Sequence, residues 1–273
     1  VRRPRAYRRK ATSIRPGIER RLAALAAALA LGLALAGCLS PYAQLALALL
    51  PEGTFTTLLN NLRGVSETNR EKLAELERKG DWQAMAQFAQ QNIAKDPTHA
   101  DWWVVAGFAY AQLGEFQRAA DSFQEAVRLS PDDIDAWNLL GQSYRAMKQP
   151  ERAIRTLNNA LQINKDSPVT YYLIGESYNE LKRPDRAITY YELALQRNPQ
   201  FVEALYSAGF TYAALGRKRE LDATVARMRA LSPPHAERLA AVQVRPPAAA
   251  APAGGASAPG VPDLPVERRS PRD

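Results

Sequence analysis

Few residues of the 273-residue chain are of a kind that could make or break a bond. There is one cysteine, Cys38. A thiol can act as nucleophile, take a lipid or bind a metal, but a single one closes no intrachain disulfide. The two histidines, His99 and His235, stand beside prolines at segment ends. Zinc sites draw on clustered Cys and His, and the sequence offers no such cluster. Carboxylates are plentiful but follow helical faces as solvated charge. No glycine-rich phosphate loop and no nucleophile–base arrangement is present. The sequence therefore predicts no catalytic residue, no cofactor and no metal. Only Cys38 is left as a centre of chemistry.

The surroundings of Cys38 say which chemistry. Residues 22–36, LAALAAALALGLALA, run for fifteen positions without a polar side chain, directly after Arg20 and Arg21. A basic flank, a short apolar run and then small residues is the order of a secretory signal. Fifteen residues at ~1.5 Å each fall short of a ~30 Å hydrocarbon core, so a cleaved signal is expected over a permanent span. The run ends in Leu35-Ala36-Gly37-Cys38, which resembles a bacterial lipobox. That resemblance implies a lipid on the Cys38 thiol, cleavage before it and acylation of the new N-terminus. Several acyl chains hold a protein at a membrane where one does not. The competing reading is an uncleaved signal anchor with a buried thiol, and the second apolar run at 45–50 favours it. Leu39 rather than Asp follows the cysteine, which leans toward the outer membrane.

The same region explains the charge. The formal net charge is +8, and residues 1–37 carry nine cations and one anion, the whole of the excess. The rest of the chain is formally neutral and lacks the basic footprint that nucleic acid requires. Nucleic acid is accordingly not expected as a partner.

Positioning elements follow from a repeat. Gly107, Gly141, Gly175 and Gly209 are 34 residues apart, and Tyr110, Tyr144, Tyr178 and Tyr212 follow each by three. Trp103, Trp137, Tyr171 and Leu205 precede each by four. Ala119, Ala153 and Ala187, then Leu221, follow by twelve; Ala126, Ala160 and Ala194, then Met228, follow by nineteen. Prolines 97, 131, 199 and 233 share the phase. Each unit reads as two amphipathic helices, A and B. The glycine is expected to face the two alanines, letting the axes approach. Turn residues such as Gly114-Glu115 and Lys182-Arg183-Pro184 join the helices, and the prolines end each unit.

These residues resemble the tetratricopeptide repeat family. The resemblance implies an all-α, right-handed superhelical solenoid of helix-turn-helix repeats, four clear and one degenerate. The clear units span 100–133, 134–167, 168–201 and 202–235. The degenerate one, 66–99, keeps Gly80, Trp82 and Pro97 in phase but has Leu73 at the glycine position. The second unit departs with Lys165 in place of proline. The fourth departs with Leu221 and Met228 at the small positions, as terminal repeats often do. Residues 1–37 then form the signal, 38–65 the lipidated N-terminus and linker, with a short helix expected over 54–62. Residues 236–273 form a short cap, where Leu239 and Val242 cover the end, and a Pro/Ala-rich tail too poor in periodic apolar residues to fold.

The resemblance also implies a concave face lined by helix A. Its residues here are Val104, Phe108, Asn138, Gln142, Arg145, Tyr172, Glu176, Asn179, Tyr206 and Phe210. Apolar ends with polar groups between them suit an extended peptide or a partner helix. The Lys/Asn/Arg clamp by which some relatives hold chaperone C-termini is absent, because its positions carry Val104, Phe108, Asn138 and Gln142. The expected function is a cell-envelope scaffold, lipid-anchored and facing the periplasm. It would bind protein or peptide segments to assemble an envelope complex, as pilotin-like, secretion or export factors do. The alternatives are a non-lipidated, inner-membrane-anchored periplasmic adaptor or chaperone, and an enzyme with an unrecognised site. No small-molecule substrate is expected.

Overall fold

The computed structural model describes residues 61, 62 and 64–244. All lie in the second of the two units into which the chain divides, Phe55–Asp273. Cys38, the signal and the tail after 244 lie outside the described residues, as does the helix expected over 54–62 except for its end.

Eleven helices and no strand occur among the described residues. They form five pairs and a cap: α1 (Glu67–Lys79) with α2 (Trp82–Lys95), α3 (Ala100–Gln112) with α4 (Phe116–Leu129), α5 (Ile134–Ala146) with α6 (Pro150–Ile163), α7 (Pro168–Glu180) with α8 (Pro184–Arg197), and α9 (Val202–Ala214) with α10 (Lys218–Leu231). The cap is α11 (Pro233–Ala240). Every first helix has 13 residues and every second 14.

Local chemistry sets these boundaries. Asp81, Asp133 and Ser167 accept the backbone N–H of the residue three on, relieving an orphan donor of the first turn. Prolines open α6, α7, α8 and α11, where a missing N–H costs nothing. The first helices end alike. Gly80, Gly114, Lys148, Lys182 and Gly216 are 34 residues apart and all have φ between 59° and 77°. The next residue's N–H then reaches back to the carbonyl five before it, from Glu115 to Tyr110, Gln149 to Tyr144, Arg183 to Tyr178 and Arg217 to Tyr212, at 2.9 Å each. That is the Schellman closure of a left-handed C-cap.

The core follows the repeat. All six in-phase alanines are fully buried, as are Leu221 and Met228. The glycines have a different neighbour from the one expected. A Cβ on Gly107 would come 2.7 Å from the Phe123 ring, one on Gly141 2.7 Å from Leu157, and one on Gly175 2.6 Å from Tyr191. Each second helix thus drives a large side chain, sixteen residues after the glycine, onto the bare backbone of the first. The alanines lie beside that contact. In the fourth unit Gly209 instead receives Leu239 of the cap, whose Cδ1 would be 2.7 Å from a Cβ there. Leu239 is wholly buried, while Val242 is only half-buried.

The aromatic four residues before each glycine has a polar duty as well. Trp103 and Trp137 donate through Nε1 to the carbonyls of Pro97 and Pro131 at 2.9 Å. The Tyr171 hydroxyl donates to the Lys165 carbonyl at 2.8 Å. Lys165 replaces proline without harm because the acceptor is backbone. Leu205 has no donor, and Arg227 reaches the Pro199 carbonyl in its place at 2.8 Å.

Candidate concave face

First helices pack on one another across units, α3 on α5 and α5 on α7, and Tyr172 of α7 hydrogen-bonds the Ser207 side chain of α9, so their inward rows adjoin. In each row, residues three and four apart share a face. The rows run Asp101, Val104, Phe108 on α3; Asp135, Asn138, Gln142, Arg145 on α5; Val169, Tyr172, Glu176, Asn179 on α7; and Glu203, Tyr206, Phe210 on α9.

Half of the expected groove residues are not open to a partner. Val104 is buried, and Phe108, 2% exposed, packs edge-on against Trp82 at 5.9 Å. The degenerate first unit therefore closes over the apolar end that was expected to be free. Asn138 is buried because Thr170 of the next unit donates to its Oδ1 at 2.8 Å. Tyr172, 5% exposed, is covered by Phe201 at 5.3 Å and Tyr191 at 6.0 Å. The Phe108–Trp82 and Asn138–Thr170 contacts join neighbouring units, whereas Tyr191 and Phe201 belong to the same unit as Tyr172.

Arg145 is buried at the centre. Its Nη2 lies 2.8 Å from Glu180 Oε1 and 3.2 Å from Glu176 Oε2. Burial by itself would lower this guanidinium's pKa, but the two carboxylates outweigh that and hold it charged. Glu176 also accepts the Tyr191 hydroxyl at 2.6 Å. Burial foremost, with the Glu176 charge next, pushes the Tyr172 and Tyr191 hydroxyls above the usual phenol range. Arg145 is thus satisfied within the chain. One carboxylate oxygen, Glu180 Oε2, is buried without a hydrogen-bond partner.

The accessible residues lie toward the C-terminal half. Asn179 is exposed and Gln142 half-buried. Tyr206 and Phe210 meet edge to face at 4.8 Å, His235 closes on Tyr206 at 5.0 Å, and Phe210 is 41% exposed. Reading only two or three residues per helix missed Asp101, Asp135, Val169 and Glu180. Extending each row by one turn in either direction would have found them. Among the described residues no three His, Cys, Asp or Glu side chains converge as metal ligands would. No described helix is long and apolar enough to cross a membrane.

Family models described as tetratricopeptide repeat match residues 76–134, 110–176 and 168–201. Comparison with curated protein sequences finds no match. The crystal structure of MamA superposes with a TM-score of 0.50 at 23% identity, over 61% of this chain and 92% of MamA. A thermophilic tetratricopeptide repeat protein of Thermus thermophilus gives 0.53 at 18% identity, over 63% and 95%. A fragment of MamA from Desulfovibrio magneticus gives 0.51 at 20%, over 62% and 93%. At these identities the likeness shows the fold. The chain carries tetratricopeptide repeats stacked as a solenoid.

Proposed function

We propose that this tetratricopeptide stack is a protein-binding scaffold held at the bacterial cell envelope by a lipid on Cys38, and not an enzyme. The observation that carries the reading is the set of Gln142, Asn179, Tyr206 and Phe210 on adjoining helical rows. An accessible aromatic pair beside amide side chains suits a peptide or helix that brings apolar anchors and backbone hydrogen bonds. Replacing Phe210→Glu together with Tyr206→Ala should abolish recovery of the partner with the purified chain from a membrane extract of the source organism. Undiminished recovery would contradict the reading.

The anchor rests on the sequence: a basic flank, a short apolar run and Leu35-Ala36-Gly37-Cys38 at its end. Leu39 favours the outer membrane, with the solenoid facing the periplasm. Such a protein would serve the assembly of a pilotin-like, secretion or export complex. The second apolar run, at 45–50, supports the other reading, an inner-membrane-anchored periplasmic adaptor without lipid. Growth with a clickable fatty acid separates the two. Label on the wild type and none on Cys38→Ser is expected for the lipoprotein, and equal label on both contradicts it.

A further inference from the structure

The start of the concave face already holds a short piece of this chain. Asn61 Nδ2 donates to Asp135 Oδ2 at 3.0 Å, and the backbone N–H of Gly64 donates to Asp101 Oδ2 at 2.9 Å. Asp101 and Asp135 are 34 residues apart and stand one turn before Val104 and Asn138 on the rows of α3 and α5. An acid in the first helical turn has a plain role, facing the positive end of the helix. These two also accept donors from one segment, at a spacing of one repeat.

Further contacts hold the segment in place. Leu62 and Val65 are 3% and 5% exposed. Arg70 of α1 donates to the Leu62 carbonyl and, through Nε, to the Val65 carbonyl at 3.0 Å. Gly64 lies so close to the His99 ring that any Cβ would run into it. Donors to two in-phase carboxylates, buried aliphatic side chains and a glycine at the tight point are what a bound segment would bring.

We propose that Asn61, Leu62, Gly64 and Val65 are a built-in ligand of the first half of the concave face. A partner segment of the same chemistry, pairing amide donors with aliphatic side chains, binds there only by displacing them. The inference rests on the concave face being the binding face. It divides that face into a closed N-terminal half and an open half at Asn179, Tyr206 and Phe210.

The test uses a fluorescein-labelled peptide of residues 58–66 and the full chain. The wild type should bind it at least ten-fold more weakly than a Leu62→Asp/Val65→Asp variant whose own segment is released. Adding Asp101→Asn and Asp135→Asn to that variant should remove the binding, whereas adding Phe210→Glu should not. Equal affinity for the wild type and the released variant, or binding indifferent to the aspartates, overturns the proposal. Should the released variant fold poorly, amide exchange in the wild type decides. The Gly64 N–H should be protected, and the protection should fall at least ten-fold in Asp101→Asn. A Gly64 amide exchanging at the free-peptide rate in the wild type overturns it. Because the Phe210 and Asp101 arms are separate, failure here leaves the open half to its own test.

Discussion

Gly175→Ala probes the packing rule on which the stack is built. The substitution adds one methyl and improves helix propensity, a gain of up to ~1 kcal/mol at an interior position. The new Cβ would stand 2.6 Å from Tyr191 Cε1, 2.7 Å from Cδ1 and 3.2 Å from the Ala187 carbonyl oxygen. Tyr191 is fully buried, and its hydroxyl is held by Glu176 at 2.6 Å. The ring can withdraw only by disturbing a bond to a charged group, worth ~1.5–3 kcal/mol. Overpacking of this kind costs ~1–3 kcal/mol. The net expectation is a loss of about 1–3 kcal/mol, read as a shift of the urea midpoint by circular dichroism at constant slope. The decisive comparison is in a Tyr191→Ala background, where the obstacle is gone. There Gly175→Ala should turn neutral or stabilising by up to ~1 kcal/mol. A methyl tolerated equally in both backgrounds would refute the claim that the glycine exists to admit Tyr191.

Three further outcomes follow from the same contacts. Arg145→Met leaves Glu176 and Glu180 facing each other without a cation and should cost ~3–5 kcal/mol; adding Glu176→Gln and Glu180→Gln should recover most of it in urea titrations. Tyr172, Tyr191 and Tyr212 are held above the phenol range, chiefly by burial, with the nearby carboxylates adding to it. The folded state therefore keeps protons that the unfolded chain releases from pH about 10, so their contribution is complete below that pH and is lost as pH rises. Stability measured between pH 9.5 and 11 should fall by up to ~1.4 kcal/mol per pH unit per tyrosine, and Tyr172→Phe should flatten the slope by one proton. Leu239→Ala empties the contact over Gly209 and should cost ~2–5 kcal/mol, with amide exchange in α10 and α11 rising before that in α5 and α6.

The repeat made the fold legible from sequence. Four glycines and four tyrosines at one spacing identified helix pairs and their turns, because each unit meets the same neighbours and must solve the same packing problem. The partner of each glycine was less legible. Phe123, Leu157 and Tyr191 differ in type, so their shared position sixteen residues on left no visible pattern, whereas the alanines did. The concave face was legible as a row but not as an open surface. Burial of Phe108 depends on Trp82 of the degenerate unit, and burial of Tyr172 on Tyr191 and on Phe201 at the end of its own unit. Arg145 looked available to a ligand because its acceptors, at 176 and 180, lie a full unit away. Asn61, Leu62, Gly64 and Val65 carried no periodic signal. Their place is set by two aspartates whose ordinary role is to begin a helix.

The central claim is that the open half of the concave face engages protein. Photo-crosslinking in the source organism tests it most directly, with a photoreactive residue installed at Phe210 or, on the exposed side of α6, at Arg155. A discrete adduct from Phe210 that is lost when Tyr206→Ala is added, and none from Arg155, is the predicted result. Adducts of equal yield from both positions, or none from Phe210, would contradict the account.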